Sequence, residues 1–395
     1  EKTASVNYAQ RGLAYEAEQA DRSTYTALPL AARRAANPKV PDDPDYLPGS
    51  ALLTAPDGAK DDETGQGFLW NAAIRAGLSV RNYGFSDAST YDQGAPGDVA
   101  PLREPFKTGA RIYTPGDQLL ATRSDPYFRG FDQRLADYWR VLEWRREFAE
   151  QETAGAMPAL TLMRLSHDHF GDFKDAIDGV NTVETQMADN DYALGTVVET
   201  IAKSRFADST LIFVIEDDAQ NGADHVDARR SIALVVGATV KQGALVSSRY
   251  TTVNMLRTIE AVLDLPPLGL NDALASPMAD LFDPSLRTWN YQAHASDALA
   301  TTQLPIPKDQ FVARLGQSPA GPLHDAAYWQ EAMQGQDFHT EDHLDTDAFN
   351  KALWRGLGTG LEPTTRSGED LRSNRTLTST FTEAVQSKGS ANAVN

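Results

Sequence analysis

The chain has no cysteine, which excludes disulfides, thiolate metal sites and a cysteine nucleophile. No apolar run reaches the ~20 residues of a membrane span, and no secretory signal stands at the N-terminus. The chain opens on Glu1-Lys2-Thr3 rather than Met, so a mature or processed product is expected. Positive charge is scarce: 36 Lys and Arg stand against 55 Asp and Glu, for a formal net charge of −19. Such a surface repels phosphate backbones and anionic lipid heads, so nucleic acid is not an expected partner. An anionic substrate would need a cation or a local Arg cluster to reverse the field. Several catalytic motifs are missing too. There is no Gly-x-Ser-x-Gly elbow and no P-loop, and Gly356-x-Gly358-x-Gly360 follows a helical pattern rather than a strand. Asp217 to Gly222 begins like a calcium loop, but Ala219 and Ala228 occupy two required ligand positions.

Hydrophobic residues make up 41% of the chain, enough for a sizeable core. Residues 1–65 are polar, with five prolines between Asn37 and Asp62, and predict an extended loop region. Phe68, Leu69, Ala72, Ala73 and Ala76 recur at helical spacing before Gly77, a suitable residue to end a helix. An alternating strand is predicted over 78–83 and a charged outer helix over 131–152. An apolar run at 158–165 precedes a long helix over 181–203. Strands follow at 210–215 and 231–236, and then a helix over 251–263. Strands that are apolar on both faces and separated by helices predict an α/β fold with a mostly parallel sheet covered on both sides. Helices are expected near 323–335 and 345–357, as an extension over 284–360. The Ser/Thr-rich residues 361–395 read as a polar tail.

Two clusters able to carry chemistry stand directly after predicted strands. One is His167-Asp168-His169. The other is Glu216-Asp217-Asp218, which continues to Asp224-His225. In parallel α/β sheets, ligands bind beyond the carboxyl ends of strands. Carboxylate and imidazole together suit hard or borderline divalent cations. Each cluster alone is also what a solvated turn, a helix cap or a surface hydrogen-bonded pair would show. Asp189 and Asn190 read as caps of the long helix, and His294, His324, His339 and His343 as surface residues.

The run from Leu211 to Asp227, with Glu216-Asp217-Asp218-Ala219-Gln220-Asn221-Gly222-Ala223-Asp224-His225, closely resembles the bacterial phosphoesterase family. That family includes acid phosphatases, phospholipase C-type enzymes and alkaline-phosphatase-like domains fused to β-propellers, and the last branch is the best match. Ser166-His167-Asp168-His169 is similar to its Asn-Asp-His-Thr segment. The run Ala188-Asp189-Asn190-Asp191-Tyr192-Ala193-Leu194-Gly195 is similar to its Ala-Asp-Asn-Asp-Leu-Ala-Leu-Gly helix. Trp70-Asn71, the stretches 76–84 and 250–260, 338–342 and Leu353-Trp354 also fit, so the similarity spans roughly residues 66–355.

The resemblance implies a three-layer α/β/α sandwich of the alkaline phosphatase type, with residues 66–283 as the C-terminal part of that domain. It implies Asp217 and Asp218 as metal ligands. Asp168, His169 and His225 would line the phosphate site, Asp168 as a ligand and the histidines as acid/base partners, with the division among these three open. Asp224 would orient His225. Zn, Mn or Fe is expected ahead of Mg, with Ca a further option, on a phosphate-ester substrate in a periplasmic or extracellular protein. The family's strand ending in Glu-Asn-Arg-Thr-Tyr-Asp and its Ser or Thr nucleophile have no counterpart here. The sandwich is therefore expected to be incomplete at the N-terminus. Its other half would come from a separate or cleaved chain, an N-terminal fragment or a β-propeller chain. A non-catalytic binding or structural protein on the same fold is the competing reading. A phospholipase C is a third, weakened by the acidic surface.

Overall fold

The computed structural model describes residues 68–85, 101–115, 117–216, 232–311, 321–336 and 346–358. The chain divides into two compact units, Glu1–Phe349 and Asn350–Asn395, and the architecture below is that of the first. It mixes helices with short strands. Helix α1 (Leu69–Arg75) stops where Gly77 takes a left-handed φ of 77°. Strand β1 (Val80–Tyr83) follows, then the short helix α2 (Pro105–Thr108) and the long helix α3 (Asp137–Ala154). The last crosses over to β2 (Leu160–Met163), which pairs in parallel with β1, Val80 opposite Leu160 and Tyr83 opposite Met163. A parallel pair requires such a crossover. Helix α4 (Val183–Ala202) comes next, started by Thr182, whose side chain accepts from the Thr185 amide. Strands β3 (Leu211–Ile215) and β4 (Ala233–Gly237) pair, and α5 (Thr252–Val262), α6 (Leu270–Leu274) and α7 (Ala326–Ala332) follow. A further helix, α8 (Thr346–Gly356), stands near the C-terminal end of the described chain. Among the described residues no helix is long and apolar enough to cross a membrane.

The core gathers on the α3–α4 pair. Val141, Trp144 and Phe148 of α3 meet Ala193, Val197 and Ile201 of α4 and Tyr83 of β1. Met163 and Leu165, at and beyond the end of β2, pack on this cluster, and so does Ile212 of β3. Residues of β1, β2 and β3 therefore pack on one pair of helices. A second cluster joins Leu135 and Trp139 to Ala188 and Tyr192, and is covered by Ala293, Ala295, Leu299 and Leu304. A third, around Trp70, Ala73, Val80 and Leu160, holds α1 to the β1–β2 pair.

Three features differ from the sequence expectation. The β3–β4 pair runs antiparallel, Leu211 opposite Gly237 and Ile215 opposite Ala233, although strands alternating with helices predict parallel neighbours. These two strands are consecutive, and an antiparallel pair needs no crossover helix. They are also not sealed on both faces: Ile215 is 43% exposed and Leu234 48%. Finally, the helix expected from residue 131 starts at Asp137. The Arg140 guanidinium captures the carbonyls of Arg129, Gly130, Asp132 and Leu135 at 2.6–3.0 Å. Those carbonyls turn toward a side chain and not along a helix axis. With Arg140, Trp139, Val141, Trp144 and Phe148 all buried, α3 is a core helix on that face.

Candidate functional site

The site grows from the buried stripe of α4. Gln186, Asp189 and Ala193 lie three and four residues apart, so the helical period puts them on one face, and all three are buried. Asp189 is 0% exposed and fully partnered. Its Oδ2 accepts from the Asp137 amide at 2.5 Å and from His167 Nδ1 at 2.7 Å, and its Oδ1 accepts from the Tyr138 amide at 3.1 Å. Asp189 is thus a cap, but of α3 and not of its own helix. Asn190 also reaches across, its Nδ2 donating to Asp137 Oδ2 at 3.1 Å.

Asp137 gathers the turn after β2. Its Oδ1 accepts from the Ser166 amide at 2.9 Å and from Arg140 Nη1 at 3.0 Å, and its Oδ2 accepts from the His167 amide at 2.9 Å. His167 Nε2 donates to the Gln133 carbonyl at 2.8 Å. A carbonyl can only accept, so Nε2 carries a proton, and the carboxylate facing Nδ1 calls for a second. With Asp189 ionised the ring is an imidazolium; burial raises the pKa of Asp189 as well, so the pair shares one proton between Nδ1 and Oδ2. Burial pulls His167 toward its neutral form, but the bond to Asp189 and the charges of Asp189 and Asp137 outweigh it and raise its pKa. For Asp137, burial is outweighed by Arg140, His167 and two backbone amides, which lower its pKa. Arg140 and the proton shared by His167 and Asp189 offset the two carboxyl groups, and the buried set is close to neutral.

One step further along the turn, the Gln186 side chain takes both polar groups of Gly171: Nε2 donates to its carbonyl at 2.7 Å, and its amide donates to Oε1 at 3.2 Å. Asp168 and His169 stand between these anchors. Their side chains are 30% and 34% exposed, with His169 Nε2 3.7 Å from Asp168 Oδ2. The His169 amide donates to Asp168 Oδ1 at 3.0 Å. The Phe131 ring meets the imidazole of His169 edge-on at 5.1 Å, and the Arg164 guanidinium lies over Phe131 at 5.0 Å.

Of the residues expected at the site, Asp168 and His169 are thus together on one turn. Asp217, Asp218, Asp224 and His225 lie outside the described residues. The β3–β4 ladder runs up to their threshold, with the Glu216 amide donating to the Ile232 carbonyl at 3.1 Å. His294 is exposed, as expected, whereas His324 is half-buried and stacks on Tyr328 at 3.6 Å; His339 and His343 lie outside the described residues. The sequence reading passed over Asp137 and the pairing of His167. Asp137 looks like an ordinary first-turn acid. Asp189 did carry a signal, because an acid on the apolar stripe of a long helix requires a buried partner.

By spacing, Asp137, His167 and Asp189 could hold a metal ion: each offers one ligand atom, and these atoms lie within 4.8 Å of one another. An ion there would displace the proton between His167 and Asp189 and sit beside Arg140. No protein-family model matches the chain and no curated protein matches it.

Proposed function

We propose that the chain carries the metal-binding part of a phosphoesterase. Asp168, Asp217 and Asp218 would be the ligands, and His169 and His225 the groups that hold or move protons at the phosphate, with Asp224 orienting His225. The observation that supports this reading is positional. His167-Asp168-His169 follows β2 and Glu216-Asp217-Asp218 follows β3, and both strands lean on the same α3–α4 core. Carboxylates with imidazoles suit Zn, Mn or Fe. Such a cation, when bound, polarises a phosphoryl oxygen, and in so acidic a chain it also reverses the field that would repel the substrate. His169 is half-exposed beside Asp168, its Nε2 3.7 Å from Oδ2, where it would meet a bound ester or water. The same reading assigns the three-layer sandwich, a periplasmic or extracellular setting, and a nucleophile supplied by residues other than these.

Turnover of p-nitrophenyl phosphate with added Mn²⁺ or Zn²⁺, lost in Asp217→Ala, is the expected result. Metal-loaded chain together with its co-purifying partners that hydrolyses neither mono- nor diesters would leave the non-catalytic reading. A second reading, an ion held at Asp137, His167 and Asp189, is favoured by their spacing. Metal content separates the two. The first predicts loss of metal in Asp168→Ala and Asp217→Ala, and the second predicts loss only in Asp137→Asn or His167→Gln.

A further inference from the structure

We propose that Asp137, Gln186 and Asp189 are positioning residues: they clamp both ends of the turn 166–171 and so set where Asp168 and His169 stand. The proposal rests on the phosphoesterase reading for what the turn binds, and on the hydrogen bonds alone for the clamp.

At the near end, Asp137 accepts the amides of Ser166 and His167 at 2.9 Å each, and Asp189 holds the His167 ring at 2.7 Å. At the far end, Gln186 engages Gly171 through both its amide and its carbonyl. Within the turn, the His169 amide donates to the Ser166 carbonyl at 3.2 Å and to Asp168 Oδ1 at 3.0 Å.

Hydrogen bonds to buried carboxylates are about twice as strong as neutral ones. The two-point Gln186 bond ties down a side chain that would otherwise retain rotamer freedom. A surface turn could satisfy its amides with water, but here buried side chains of two core helices take them. Metal and phosphate geometry must be kept within about 0.5 Å by supporting bonds of this kind. The clamp couples the packing of α3 against α4 to the placement of Asp168 and His169.

The test uses the full chain with Mn²⁺ as probe. Gln186→Met keeps the volume and removes the bonds to Gly171. Asp189→Asn keeps the shape and removes the charge opposite His167, so it serves if the first variant does not fold. Amide exchange over 166–171 should accelerate in either variant, and Mn²⁺ affinity should fall by about 10- to 100-fold, the usual effect of losing a supporting partner. Faster exchange with unchanged Mn²⁺ affinity would make the clamp mere scaffold and overturn the proposal, and so would unchanged exchange. Mn²⁺ binding that survives Asp168→Ala would overturn it by placing the ion elsewhere. A wild-type chain that binds no Mn²⁺ would sink the phosphoesterase reading itself, a distinct result.

Discussion

His167 and Asp189, both shut off from solvent, meet at 2.7 Å between Nδ1 and Oδ2, while the other ring nitrogen donates to the Gln133 carbonyl at 2.8 Å. The pair ties the turn after β2 to the middle of α4. Removing one member strands the other. Asp189→Ala is expected to cost about 3–5 kcal/mol, the usual penalty for breaking a buried ion pair, read as a lower urea midpoint at pH 7.

The same pair gives a pH signature. The pKa of His167 is raised in the folded state. Its contribution is therefore fully present below the ordinary histidine value of about 6.5 and is lost as pH rises through the folded value. Thermal melts across neutral to alkaline pH should show a falling stability that flattens in His167→Gln. An equally steep fall in that variant would refute the imidazolium assignment.

Asp125 titrates for a different reason. Its Oδ2 is buried with no hydrogen-bond partner in reach, and the Arg146 guanidinium stands 3.8 Å away. Burial, with the nearby carboxylates of Glu143 and Glu147, pushes its pKa up to about 7. The folded state thus holds a proton that the unfolded chain releases near pH 4, and stability is lost as pH rises through about 7. Asp125→Asn should stabilise the protein at pH 8, on the order of 1–3 kcal/mol, the cost of an unpartnered buried group. A smaller gain is expected at pH 5, which is only about one unit into the window that opens near pH 4. Equal effects at both pH values would contradict the protonated carboxyl.

Arg140 organises residues 129–135 through four carbonyls and the Asp137 carboxylate. A lysine keeps the charge but not the planar fork. Arg140→Lys is expected to destabilise by about 3–5 kcal/mol and to expose the 129–135 loop to protease. Wild-type resistance in the variant would show that the loop is held by other contacts.

Gly237 ends β4 with φ 157°, and a Cβ there would lie 2.8 Å from the Thr210 carbonyl oxygen. Gly237→Ala should therefore push β4 away from the start of β3, at a cost of about 1–3 kcal/mol. Accelerated amide exchange confined to β3 and β4 is the expected pattern.

Much of the element order was legible from periodicity. The helices at 69–75, 183–202 and 252–262 and all four strands fall within a few residues of their expected places, because their apolar stripes and bounding turn residues are local signals. The start of α3 was not legible. Its preceding residues have helical composition, and only the Arg140 side chain diverts their carbonyls. Nor was the pairing sense of β3 and β4, which depends on how the chain returns and not on what each strand contains.

For the candidate site, the sequence by itself determined which residue types stand there: acids and histidines directly after two strands, in a chain without cysteine and with a net charge of −19. It could also place Asp189 on a buried stripe. Only the tertiary structure decided that Asp189 caps α3, that His167 is buried between Asp189 and the Gln133 carbonyl, and that Gln186 holds Gly171. These partners are 15 to 52 residues apart in the chain. Periodicity reports which face of a helix is buried, whereas the identity of a buried polar group's partner is set by the packing of α3, α4 and the turn after β2.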